Sequence, residues 1–122
     1  MVDTRIVLSG LWVATMLTYL LGDVLRIFAG DFEVGKLASG FQATPAMWFG
    51  IAVIMLIPIV MLVLTLTINS PAMRWVNIVV AAVVVVFNIA GLPYPGAYDN
   101  FLIGVSFVFN ALTIWYAWQW AI

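Results

Sequence analysis

No charged side chain stands between Lys36 and Arg74, between Arg74 and Asp99, or after Asp99. A chain folding in water cannot leave such stretches bare, because it lacks the polar surface to cover its core. Soluble domains carry about 25% charged residues; here the figure is 7%, beside 66% hydrophobic. The charges are Asp3, Arg5, Asp23, Arg26, Asp31, Glu33, Lys36, Arg74 and Asp99. Lipid is the solvent this pattern fits. A soluble enzyme, a nucleic-acid binder and a disordered tail are thereby excluded. The chain has neither Cys nor His, so disulfides, thiolate chemistry and the usual zinc, haem and iron–sulfur sites fall away, and no cofactor or metal is expected. Net charge is −1, with no basic run to hold phosphate or an anionic membrane surface.

The 122 residues divide into four apolar segments within a single integral membrane domain: about 6–28, 45–68, 71–92 and 100–120. Each approaches the ~20 residues that cross a hydrocarbon core at 1.5 Å per residue. The first segment outlasts the roughly 7–15-residue core of a signal peptide, no Ala-x-Ala pattern follows it, and three further spans do. It reads as a retained span. Backbone groups in lipid must be paired within their own element, so every span is expected to be helical despite the valine runs at 79–80 and 83–86. The expected fold is therefore all-α, an antiparallel four-helix transmembrane bundle.

Punctuation supports these limits. Thr44-Pro45 and Ser70-Pro71 each put a capping hydroxyl before a proline at the first helical position. Pro93-Tyr94-Pro95-Gly96 cannot continue a helix. Asp99 or Asn100 can cap the fourth span, with Gly96 as an earlier start. The link around Ser70 is so short that spans two and three are expected to be antiparallel neighbours. The first link, 30–44, is longer, holds three charges with Arg26 at its entrance, and is expected on the membrane surface. No internal repeat is evident, which argues against an inverted-repeat transporter within one chain. Trp48, Trp75, Trp115, Tyr116, Trp118 and Trp120 crowd the span ends, where ring systems with one wet edge anchor a helix at the headgroups. Lys and Arg are evenly split between the two faces. Arg26 partly inside the first helix tips the expected topology towards both termini in the cytoplasm.

Ionisable groups within a span are the default pointers to function. Asp23 is the candidate, with Tyr19, Thr15, Trp12 and Arg26 at helical spacing along one stripe. The fourth span carries Asp99, Ser106, Asn110 and Thr113; the third carries Asn77 and Asn88. In an antiparallel bundle Asp23, Asn88 and Asp99 fall at one depth, and Asn77, Arg74 and Thr67 towards the other face. The possible polar site is thus Asp23, Arg26, Tyr19, Asn88 and Asp99. Two readings stay open. Asp23 is a proton or cation site with Tyr19 and Asn88 beside it and Arg26 tuning it, or it forms an interfacial ion pair with Arg26 while the amides and hydroxyls glue helices together. Pro58, inside the second span, is expected to free a carbonyl near Ile54 and kink the helix. Gly10-x-x-x-Ala14 offers a site for close helix approach.

Leu11-Trp12, Tyr19-Leu20, Asp23-Val24-Leu25, Ile57-Pro58-Ile59, Arg74-Trp75-x-Asn77-Ile78 and Trp115-Tyr116-Ala117-Trp118 together resemble a bacterial family of small four-span integral membrane proteins, known only as a domain of unknown function. The resemblance runs through all four spans. It implies a prokaryotic inner-membrane protein and supplies no activity. In that family an acidic residue often precedes the Ile-Pro pair; Leu56 stands there in this chain, which speaks against a two-carboxylate mechanism.

Three functions compete. The leading expectation is a non-enzymatic membrane protein that works by association, as a homo-oligomer or as accessory subunit of a larger membrane complex. The alternative is a small proton-coupled transporter with Asp23 as exchange site. An enzyme on a lipid or quinone is least expected, since no acid–base couple is evident.

Overall fold

The computed structural model describes residues 3–30, 44–68, 70–91 and 96–120. The first link and the Pro-Tyr-Pro segment lie outside them. Four α-helices follow in order: α1 (Thr4–Ala29), α2 (Pro45–Thr67), α3 (Ala72–Gly91) and α4 (Ala97–Trp118). The described residues contain no strand. All four helices are long and apolar enough to cross a membrane. The chain is an integral membrane protein of helical-bundle class, as its charge-free stretches require.

Local chemistry explains the helix ends. Asp3 caps α1 by accepting from the Arg5 N–H at 2.9 Å. Gly30 ends it in the left-handed region, φ 78°, and donates back to the Arg26 and Ile27 carbonyls. A side chain at that φ would be strained, so glycine belongs there. Thr44 caps α2: its Oγ1 accepts from the Met47 N–H at 3.2 Å, with Pro45 first in the helix. Ser70 Oγ likewise accepts from the Ala72 N–H at 3.3 Å, but Pro71 sits in the turn and α3 begins one residue later than expected. Gly96, not Asp99 or Asn100, is the N-cap of α4. That change places Asp99 in the first helical turn and turns its side chain inward, where it is buried. Ile68 caps α2 at its C-terminal end, so the second span closes one residue early.

α1 and α4 form the central pair. α2 packs on α1, α3 packs on α4, and α2 and α3 touch only sparsely. Spans two and three are antiparallel neighbours, as the short turn requires, but their contact is sparse, because a tight turn ties helix ends together and leaves the rest of the two helices free to separate. Near that turn the pair is held by Thr65 and Asn77. Further along, the gap between them becomes part of a cavity.

The core at the turn end combines Leu8, Trp12, Met61, Met73, Ala81, Ala117 and Trp120. Trp120 is buried, unlike the exposed Trp75, Trp115 and Trp118, so it belongs to the core and not to the interfacial belt. Hydroxyls inside the bundle are satisfied locally. Ser9, Thr15, Thr18 and Thr113 each donate to the carbonyl four residues earlier at 2.7–2.9 Å. That local closure lets them sit in an apolar interior.

Candidate functional site

The residues singled out from sequence converge. Tyr19, Asp23 and Arg26 from α1, Asn88 from α3 and Asp99 from α4 all line one cavity of about 320 Å³. Its remaining walls are mostly apolar, supplied by Ile54, Met55 and Pro58 of α2, Val84 and Phe87 of α3, and Leu102 of α4. The cavity occupies the half of the bundle opposite the turn between α2 and α3. Asp23, Asn88 and Asp99 at one depth is what helical rise predicts for antiparallel helices, and all three line this cavity.

Arg26 organises the charges. Its Nε donates to Asp99 Oδ2 at 2.7 Å and a terminal nitrogen reaches Asp99 Oδ1 at 3.4 Å. The same guanidinium stands 3.3 Å from Asp23 Oδ1. The pairing drawn from sequence, Asp23 with Arg26 one turn away, is therefore real but secondary. The shorter, two-point contact crosses from α1 to α4. Burial separates the acids as well: the Asp99 side chain is 2% exposed and that of Asp23 47% exposed. Asp99 is the desolvated partner whose cost must be offset by charge pairing. Asp23 lines the cavity and stays half exposed.

Gly22 lies at the centre of this contact, and sequence reading passed it over. It is buried where α1 meets α4, and a Cβ added there would lie 3.5 Å from Asp99 Oδ1 and 3.7 Å from Leu102. A methyl is accommodated at these distances, whereas a side chain as large as leucine would push α4 away and pull Asp99 off Arg26. By contrast, a Cβ at Gly10 would meet nothing within 4 Å. The close approach expected at Gly10-x-x-x-Ala14 is not used within the chain.

On the opposite flank of the cavity, Asn88 Nδ2 donates to the Tyr19 hydroxyl at 2.5 Å, joining α1 to α3. Trp12 and Thr15, placed on the Asp23 stripe by spacing, do not line the cavity: Thr15 closes on the Leu11 carbonyl, and Trp12 serves a different site. Trp12 is fully buried and donates from Nε1 to Asn77 Oδ1 at 2.7 Å. Asn77 in turn donates to the Met73 carbonyl at 2.8 Å and to Thr65 Oγ1 at 3.3 Å. This knot ties α1, α2 and α3 together at the turn end. Ser106, Asn110 and Thr113 follow Asp99 along the buried face of α4. Asn110 is fully buried with neither amide atom partnered.

Pro58 is buried inside a helix that runs on through it, and its ring forms part of the cavity wall. Leu56, by contrast, is half exposed on the outside of α2. Compared with family models, curated proteins and solved structures, the chain matches none.

Proposed function

We propose that the protein is a small non-enzymatic carrier in a bacterial plasma membrane, both termini in the cytoplasm, with Asp23 as the site where proton and ligand exchange. One observation carries the reading. Arg26 is committed to the buried Asp99, while Asp23 faces an apolar cavity with its carboxylate half accessible. A structural ion pair needs only one acid for one arginine. The second acid, placed on the wall of a cavity within the range of small-molecule sites, has work left to do.

The test uses purified protein in liposomes loaded with a pH-reporting dye, challenged with a panel of cationic, neutral and anionic aromatic amphiphiles. At least one compound should drive proton movement that is lost in Asp23→Asn. A panel that moves no protons through correctly folded protein would end the carrier reading.

A second reading, association as homo-oligomer or accessory subunit, is favoured by α2. That helix buries only Pro58, Met61 and Thr65 and leaves large apolar side chains such as Phe49, Val53, Leu56 and Val63 exposed. Lipid provides no hydrophobic drive for helices to meet, so a partner would have to pack closely, for which the open side of Gly10 is suited. Cross-linking in native membranes that returned only monomer would remove it.

A further inference from the structure

The charges around the cavity restrict what it can hold. Among the described residues, the titratable and charged groups facing Asp23 are Tyr19 and Arg26 on its own helix and Asp99 on α4; α3 contributes the neutral Asn88, and the lining contributed by α2 is wholly apolar. One guanidinium against two carboxyl groups leaves a formal excess of one negative charge.

An anion entering this space would meet that excess, and the arginine that might receive it is already engaged at 2.7 Å with Asp99. A bare metal ion needs several oxygen ligands, and the described residues hold no group of three His, Cys, Asp or Glu side chains that converge. A neutral apolar molecule would displace water from Asp23 and give its carboxylate nothing in return, which is costly. A cation alone restores neutrality as it displaces water. The Tyr19–Asn88 pair already engages itself, so the carboxylate is the strongest polar handle left. Apolar walls on α2, α3 and α4 then call for an apolar body.

We infer that the cavity takes a monovalent organic cation with a compact apolar body, its charged head at Asp23 and its body against α2 and α3. The inference rests on the reading of Asp23 as the exchange site and names the ligand class for it. Proton and cation compete for one carboxylate, so the bound cation is released as pH falls through the range where Asp23 takes up its proton.

Three matched probes test this on the full chain in lipid nanodiscs, with protein-free nanodiscs as blank: benzyltrimethylammonium, its uncharged carbon isostere neopentylbenzene, and benzenesulfonate. Calorimetric titration at neutral pH should show the ammonium binding about tenfold tighter than the isostere, the scale of one partly buried charge pair. The preference should vanish at acid pH, vanish in Asp23→Asn and persist in Asp23→Glu. The pH arm uses the unaltered chain, so it decides the matter even where Asp23→Asn fails to fold. Equal binding of cation and isostere, tighter binding of the sulfonate, saturable binding of none, or a preference that survives in Asp23→Asn overturns the inference. Saturable cation binding without proton movement in liposomes would overturn carriage alone and leave the ligand class standing.

Discussion

Arg26 is shared unequally between two carboxylates, and that inequality sets what each acid does. Asp99 is buried and holds the arginine at two points. Asp99→Asn leaves a mostly buried guanidinium short of its charge partner and should cost about 3 kcal/mol, read as a fall in unfolding midpoint in detergent. Asp23→Asn removes a longer contact from a half-exposed group, so its cost should stay below about 1 kcal/mol. Equal losses from the two changes would contradict this division. Asn110 supplies a third residue-scale outcome. Its amide is fully buried and unpartnered, so Asn110→Leu, which keeps the branching and replaces the amide by two methyls, should stabilise the fold by about 1 kcal/mol. Destabilisation there would mean that the amide has a partner such as an internal water. Sequence spacing exposes Asp23 beside Arg26 because they lie one turn apart on one helix. It hides the stronger partner, 73 residues away, because pairing across helices depends on how each is rotated about its axis.

At the scale of elements, what sequence reveals is what the bilayer enforces. Length, apolar run and capping residues such as Thr44 locate the four helices to within a few residues, since lipid leaves the backbone no alternative. Packing order is less visible. Helices of uniformly apolar surface, α2 above all, carry no stripe to say which side faces inward, so the near-separation of α2 from α3 and the cavity it opens came only with the structure. Gly22 tests the α1–α4 contact. Gly22→Ala meets its neighbours at ordinary van der Waals distance and removes a helix-disfavouring glycine, so stability should hold or rise by up to about 1 kcal/mol. Gly22→Leu overpacks the interface and should cost about 1–3 kcal/mol, with cation binding weakened as Asp99 leaves Arg26. Thermal unfolding of the two variants side by side checks both. If leucine proves as harmless as alanine, α1 and α4 do not meet as described.

The whole molecule joins two polar centres through one apolar frame. At the turn end, Trp12, Thr65 and Asn77 lock three helices together. At the other end, the same bundle loosens around a charged cavity. The apolar core lies at one end and the half-exposed carboxylate at the other, a division that suits a site meant to admit a ligand. An even number of spans puts both termini on one face, and reporter fusions at the two ends should agree; disagreement would refute the span count. The central claim is that Asp23 is the open carboxylate of this cavity while Asp99 is sealed by Arg26. Treating native membranes with dicyclohexylcarbodiimide, which enters lipid and couples to accessible protonated carboxyls, followed by peptide mass mapping, tests it most directly. The account predicts modification at Asp23 with Asp99 spared. Labelling of Asp99 as fast as Asp23, or of Asp99 alone, would contradict it.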